Sequence, residues 1–413
     1  MALAVLRLRL TGFRCYESAQ LDLDARPVVL TGPNGAGKTN LLEAISLLAP
    51  GRGLRGARLE EMDRRDLPRT ETAGDGSGEG WTVAASLATP AGVVEIGTGH
   101  RPETVNRRIV QIDGKQSRSQ TSLSDHVTAI WLTPTMDRLF AEGASGRRRF
   151  LDRLVFGFDA AHAGRVSAYE HTLRERARLL RDGGDAVWLD TLEGDMAERG
   201  VAIAAARREL TARLCRLCAA PDGPFPGAEV AVTGQVEEWL DHGPALAAED
   251  RLRAALRDSR PQDAAAGGAA VGPHRSDLAV RHLAHGMPAA LCSTGEQKAL
   301  LIAIVLANAR LQTAERGSVP LLLLDEVAAH LDAVRRAALF DELLALGAQA
   351  WFTGTDRSVF DFFGSRAQFV AVRAGRLERD GRCQPAALSG RPARSDSQRT
   401  PSAPSAMMGR DAF

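Results

Sequence analysis

The chain has 413 residues, 44% of them hydrophobic and 25% charged, which suits two or three globular domains and excludes both wholesale disorder and a fibre. Its formal charge of +1 provides no global attraction to nucleic acid, so an anionic partner must be met by local patches. The longest apolar run, Ala299–Ala307, is far short of a membrane span, and five scattered cysteines with no signal peptide ahead of them suit a soluble protein of a reducing cytoplasm.

Taken in order, the first forty residues read as strand, turn, strand, strand: Val5–Leu10, a turn at Gly12-Phe13-Arg14, Leu21–Leu23, then Val28–Thr31. The last strand runs into Gly32-Pro33-Asn34-Gly35-Ala36-Gly37-Lys38-Thr39, and an apolar helix over Asn40–Leu48 follows. Residues 51–80 are polar and glycine-rich, with a mobile loop expected over Glu71–Gly80. Strands resume at Trp81–Leu87, Val93–Ile96 and Arg108–Ile112, the last ending in an Asp113-Gly114 hairpin turn. From Gly146 the pattern turns helical over Arg147–Gly157, Ala161–Arg181 and Trp188–Cys218, and Gly183-Gly184 would let the last two lie antiparallel. Trp188, Leu192, Met196 and Ile203 keep a helical period, and Trp188 and Trp239 read as core.

Past Pro221–Gly227 come a short strand near Val230–Val232, a helix near Leu252–Asp258 and a loose stretch over Ala264–Ala270. Gly272-Pro273-His274-Arg275, a strand at Leu278–Val280 and a helix over Glu296–Leu311 follow. Strand, helix and strand then fall at Leu321–Leu324, Val334–Leu346 and Ala350–Thr353, and the strands near both termini must share one sheet. After Cys383 the Ser/Pro/Arg-rich composition predicts a disordered tail.

Gly32-x4-Gly37-Lys38-Thr39, between a strand and a helix, is a full Walker A pattern. Its backbone N–H groups suit the β-phosphate of ATP, Lys38 the β- and γ-phosphates, and the Thr39 hydroxyl Mg²⁺. Lys38, Lys115 and Lys298 are the only lysines in an arginine-rich chain, so a lysine at position 38 marks a chemical need for a slim point charge. Asp325 and Glu326 end a run of four leucines, as a buried parallel strand delivers carboxylates to its C-terminal edge. Asp325 would hold Mg²⁺ through water and Glu326 would orient and deprotonate the attacking water. Ser293-Thr294-Gly295-Glu296-Gln297 opens a helix and could form an anion site, but by itself it reads better as a simple N-cap with a Glu capping box.

In company with the Walker motifs, that segment resembles the ABC-type signature, in which Ser293, Gly295, Glu296 and Gln297 would meet the nucleotide of an opposite subunit. Ala329-His330-Leu331-Asp332 resembles the D-loop of the same class. Three further segments, Leu10–Tyr16, Gly146-Arg147-Arg148-Arg149-Phe150-Leu151-Asp152 and Gly272–Leu278, resemble the RecF family of SMC-like, ABC-type ATPases over roughly residues 3–380. The resemblance implies an α/β, ABC/SMC-like P-loop ATPase head with an inserted, mainly helical domain containing a helical hairpin. It divides the chain into head parts at 1–145 and 271–382, a helical arm at 146–270 and a tail at 383–413. It also implies an ATP-dependent homodimer and a slow, DNA-stimulated ATPase. The implied partners are gapped or single-strand/double-strand junction DNA and the proteins RecO, RecR and, indirectly, RecA. The implied roles lie in repair, fork recovery and the SOS response.

The chain departs from ABC transporters in two places. Thr133-Pro134-Thr135-Met136-Asp137 stands where the Q-loop glutamine would, leaving the role of Asp137 open, and Thr353-Gly354-Thr355-Asp356 replaces the switch histidine, with Thr355 as a candidate γ-phosphate contact. Arg147-Arg148-Arg149 fits either DNA phosphates or a solvated helix end. Arg52, Arg55 and Arg58 would share a face if helical. Cys215 and Cys218 lack a second ligand pair and do not suggest zinc.

Overall fold

The computed structural model describes residues 3–64, 80–101, 103, 107–220 and 223–379. From the N-terminus, β1 (Ala4–Phe13) and β2 (Tyr16–Asp22) form a hairpin, and β3 (Val28–Thr31) leads through the glycine loop into α1 (Lys38–Ser46). Strands β4 (Trp81–Thr89), β5 (Gly92–His100), β6 (Ile109–Ile112) and β7 (Lys115–Gln116) continue as a meander, followed by β8 (Ala129–Leu132). Next come α2 (Ala144–Phe156), α3 (His162–Arg181), α4 (Ala186–Ala219), β9 (Ala228–Thr233), α5 (Gln235–His242), α6 (Ala245–Asp258) and α7 (Arg260–Ala266). Strands β10 (Asp277–His282) and β11 (Met287–Pro288) precede α8 (Thr294–Arg316). The described chain closes with β12 (Leu321–Leu324), α9 (Ala333–Ala345), β13 (Ala350–Gly354), β14 (Gln368–Arg373) and β15 (Arg376–Arg379).

One sheet has the order β15-β14-β3-β13-β12-β8, parallel throughout except for β15. Strands covered on both faces must be apolar along their whole length. Accordingly Leu321–Leu324 and Ala350–Gly354 are buried at every position. Strand β3, made early, lies between β13 and β14, made late, so strands from both ends of the chain do share one sheet.

A second, antiparallel sheet has the order β2-β1-β4-β5-β6-β7. Leu8, Leu10 and Phe13 of β1 join Leu41, Leu42 and Ile45 of α1 and Trp351 of β13 in one core, so the P-loop helix is gripped from both sheets. Between β6 and β7, Asp113 and Gly114 take φ of 48° and 75°, the two left-handed residues that a tight hairpin needs.

The middle of the chain builds a helical region around the three-stranded sheet β11-β10-β9. Helices α3 and α4 pack as the expected hairpin, broken at Gly183 with φ 70°. The 34 residues of α4 give it a length of about 51 Å. Arg176 of α3 is buried and reaches Glu193 at 2.9 Å, Asp263 at 2.8 Å and the Leu256 carbonyl at 2.6 Å, so each buried charge has its partner.

Several local expectations are corrected. The turn at Gly12–Arg14 moves on to Arg14-Cys15, because Phe13 still pairs with Tyr16. Strand β2 covers Tyr16–Asp22 where only Leu21–Leu23 was expected, and α5, β8, β14 and β15 carried no expectation. The loose stretch over Ala264–Ala270 is partly α7, with a Gly267 C-cap. Trp188 is 63% exposed, since nothing among the described residues covers that face of the first turn of α4, while Met196 and Ile203 are buried as expected. Trp239 is half-buried against the helical core. Residues 51–58 are not helical, and Arg55 pairs instead with the buried Glu43, which Arg14 also clamps at 2.9 and 2.8 Å. The expected mobile loop at Glu71–Gly80, apart from Gly80, and the tail at 383–413 lie outside the described residues.

Candidate nucleotide site

Strand β3 ends at Thr31, and the chain turns at once through Gly32, where φ is 153° and an added Cβ would sit 2.2 Å from the Val372 carbonyl oxygen. At Gly37, which opens α1 with φ 115°, a Cβ would meet the Cys15 thiol at 2.7 Å and the Tyr16 hydroxyl at 2.9 Å. Both positions therefore require glycine. The Tyr16 hydroxyl donates to the Gly37 carbonyl at 2.9 Å, which ties the glycine loop to the β1–β2 hairpin. Pro33, Asn34, Gly35 and Ala36 form the rest of the loop between them.

Lys38 is buried at the start of α1, and its ammonium donates to the carbonyls of Gly32 at 2.7 Å and Pro33 at 2.9 Å. Burial lowers its pKa, against the pull of Glu326 and Asp325. The Thr39 hydroxyl lies 3.0 Å from both oxygens of Asp325. A hydroxyl beside a carboxylate is a hard oxygen pair of the kind Mg²⁺ takes, and a buried ammonium at a glycine loop and helix N-terminus suits phosphate. The residues thus fit Mg²⁺ and a nucleotide triphosphate.

Thr353, at the end of β13, is the residue the motifs did not reveal. Its hydroxyl donates to Asp325 at 2.7 Å and accepts the Glu326 N–H at 2.8 Å. The register Leu324↔Phe352 brings it beside Asp325, and that register is invisible in the sequence. Glu326 takes φ 54°, a conformation that costs a non-glycine residue on the order of ~1–2 kcal/mol. The bond from Thr353 holds it there. Thr355 is exposed beyond the strand end.

The signature segment is built differently. Ser293 caps α8, taking the Glu296 N–H at 3.4 Å, while Glu296 Oε2 accepts the Ser293 N–H at 2.8 Å and its hydroxyl at 2.7 Å. This closed capping box leaves Ser293, Thr294 and Gly295 exposed, and among the described residues the hydrogen bonds of its side chains stay within the motif and its flank. Gln297 faces inward and donates to the Cys292 carbonyl at 2.9 Å, so it braces the loop from behind. Asp332 of the D-loop-like segment caps α9 through the Arg335 N–H at 2.8 Å.

Lys298, one turn into α8, is buried and donates to Asp137 at 3.0 Å. Asp137 stands in the 3-10 turn Pro134–Arg138 after β8, the strand beside β12. The ion pair links the signature helix to the edge of the parallel sheet.

The Gly146–Asp152 and Gly272–Leu278 segments dock on each other. Arg147 forms a double bond pair with Asp277 at 2.7 and 2.8 Å, and Arg148 donates to the Ser276 carbonyl at 2.9 Å. Arg207 joins Asp152, at 2.8 Å to each oxygen, to the Pro273 carbonyl at 2.7 Å. Of the three arginines weighed as a DNA grip, two are engaged inside the molecule and Arg149 is exposed. His274 lies between Tyr169 (2.8 Å) and the Ala269 carbonyl (2.9 Å), and burial lowers its pKa to about 4.

Comparison with known proteins adds to this geometry. The family profile described as RecF/RecN/SMC N terminal domain matches residues 4–361. The chain is 52% identical over 384 residues to the DNA replication and repair protein RecF of Caulobacter sp. (strain K31), covering 89% of this chain and 96% of that one. It is 50% identical over 376 residues to the protein of the same name from Allorhizobium ampelinum, covering 90% and 97%. Among solved structures it resembles the recombination mediator protein RecF-ATPrS in the RecFOR pathway, at TM-score 0.78 and 22% identity over 92% of this chain and 98% of that one. An Smc head domain derived from Pyrococcus furiosus, bound to the C-terminal domain of ScpA, matches at TM-score 0.51 and 15% identity over 92% and 96%. At those identities the structural likeness speaks for the fold, an ABC-type head shared by RecF and SMC proteins.

Proposed function

The chain belongs to the RecF family of DNA replication and repair proteins, and on that premise we propose that it is an ATP-operated DNA clamp whose two copies share their nucleotide sites. One observation carries the reading. Lys38, Thr39, Asp325, Thr353 and Glu326 are connected within a single chain, whereas Ser293–Gly295 stand exposed and, among the described residues, their side-chain hydrogen bonds stay within their own cap.

ATP is the substrate. Residues 32–39 would cradle its phosphates, and the Lys38 ammonium would exchange the Gly32 and Pro33 carbonyls for phosphate oxygens, a stronger, charge-assisted bond. Thr39 and Asp325 would hold Mg²⁺, which supplies charge neutralisation at the phosphates. Thr353 keeps the Asp325 carboxylate turned to Thr39 and fixes the backbone of Glu326. Glu326 would then orient a water molecule and accept its proton. Ser293 and Gly295 of a second copy would complete the site across the interface. ATP that binds the closed dimer better than the monomer favours the dimer by mass action, so little is demanded of the hydrolytic rate.

By the same reading residues 1–145 and 271–382 are the two parts of the head, 146–270 the arm and 383–413 a tail. The clamp would hold gapped or single-strand/double-strand junction DNA in the cytoplasm, with RecO and RecR as partners in loading RecA. The family name and the RecFOR pathway of the solved relative support this assignment. No helix among the described residues is long and apolar enough to cross a membrane.

Light scattering with Mg-ATP, with and without gapped DNA, tests the proposal. The wild type is expected to double in mass with ATP, while Lys38→Met and Ser293→Arg each stay monomeric. Mixing the two variants restores one composite site and hence a dimer. Equal dimerisation without nucleotide would sink the proposal.

A further inference from the structure

We propose that His282, His285 and Glu296 form a site for a divalent transition-metal ion of the zinc class, set directly behind the signature segment. Strand β10 ends at His282, the turn that follows carries His285, and the first turn of α8 brings Glu296 to meet them. One ligand atom from each residue lies within 4.8 Å of the other two. His285 Nε2 and Glu296 Oε1 are 3.2 Å apart. Zinc bonds to nitrogen and oxygen of roughly 2.0–2.2 Å put neighbouring ligands of a tetrahedral ion about 3.4 Å apart. The His285–Glu296 edge is therefore already at ligand spacing, and His282 closes the set by a small ring movement.

An ordinary ion pair between His285 and Glu296 accounts for those two residues but leaves His282 unexplained. That imidazole is 6% exposed and lies against the ring of His285, tilted by 38° with centroids 4.2 Å apart. Its Nδ1 is buried without a hydrogen-bond partner among the described residues, against the rule that buried polar atoms are satisfied. Two borderline imidazoles beside one carboxylate suit zinc, cobalt or nickel, and the imidazoles disfavour magnesium. The set is also separate from the Thr39–Asp325 pair in both residues and donor type.

Glu296 can serve both roles at once. Its Oε2 holds the Ser293 cap while Oε1 faces His285. A bound ion would stiffen the N-terminus of α8. This consequence for dimer closure rests on the clamp reading above, whereas the metal site does not.

The test uses the full chain without an affinity tag, stripped with EDTA, with accessible thiols such as Cys15 alkylated. Titration with Co²⁺ alone should give the visible absorption of a four-coordinate ion at one equivalent per chain, displaced by Zn²⁺ and not by Mg²⁺. His285→Ala, at an exposed turn position, should weaken binding at least tenfold, and Glu296→Gln likewise. Zn²⁺ should slow amide exchange at residues 294–297 in the wild type and not in His285→Ala. No saturable cobalt spectrum, or the same affinity in His285→Ala as in the parent, would overturn the proposal. Neither readout uses ATP, so failure of the clamp reading would leave this result standing.

Discussion

Thr39 at the start of α1 and Asp325 and Thr353 on neighbouring parallel strands bond to one another, with Lys38 beside them held by the glycine loop, whereas Ser293, Thr294 and Gly295 stand on an exposed helix end whose side-chain hydrogen bonds, among the described residues, stay within the motif and its flank. The first group is preorganised around the buried Asp325 and Thr353, with its side chains already bonded within one chain. The second is finished as a helix end and unfinished as a binding surface. Changes in the first should therefore disturb chemistry and fold together, and changes in the second should spare the fold.

The largest expected effect tests the first group. Glu326→Gln should lower single-turnover ATP hydrolysis by roughly 10²–10⁴-fold, the usual range for loss of a general base, while the ATP-dependent dimer persists. A rate equal to wild type would remove the catalytic half of the comparison. Next comes Thr353→Val, which deletes the bond to Asp325 and strands the Glu326 N–H. A loss of about 2 kcal/mol in unfolding free energy is expected by urea titration, and Thr353→Ser should recover it. Ser293→Ala should lower the unfolding free energy from the same titration by about 1 kcal/mol or less, the worth of one exposed cap, yet abolish ATP-driven dimerisation. A stability loss matching that of Thr353→Val would erase the contrast.

The smallest effect is one of pH. His274 lies in the segment that leads into β10 and on to the signature helix, and it faces Tyr169, Arg275, Arg148 and Asp263. Burial holds its pKa at about 4, below the ordinary 6.5 of an unfolded chain. The neutral ring is thus favoured by folding, and its contribution is whole above pH 6.5 and lost as pH falls toward 4. Urea midpoints should fall between pH 7 and pH 5, and His274→Gln should flatten that dependence.

What could be read from the sequence was whatever is local. The Walker A loop is eight contiguous residues between a strand and a helix, and Leu321–Leu324 announces a buried strand before Asp325. Thr353 was missed because its role comes from strand register between distant segments. Strand β8 was missed because Ala129-Ile130-Trp131-Leu132 is a four-residue apolar run without period, and only its pairing with β12 identifies it. Trp188 fits the helical period of Met196, but period reports which face a residue shares and not whether anything covers it. Arg147 and Arg148 looked like a phosphate grip because their partners, Asp277 and the Ser276 carbonyl, lie far along the chain.

The position of β3 also bears on how the protein is made. Its two neighbours in the sheet are residues 350–354 and 368–373, and the side chains of Gln349 and Gln368 stitch the same late segment to Val5, Asp24 and Arg26. A ribosome therefore delivers the glycine loop long before either flank of its strand exists. Until those flanks emerge, β3 has two open edges, a template for pairing with other nascent chains. The β4–β7 meander and the helical hairpin have closer contacts and can form during synthesis, while the parallel sheet must wait. A product that stops short of residue 350 thus has its glycine loop and the antiparallel sheet beside it, but neither parallel neighbour of β3. Translation has to reach β14 before the loop is held on both sides.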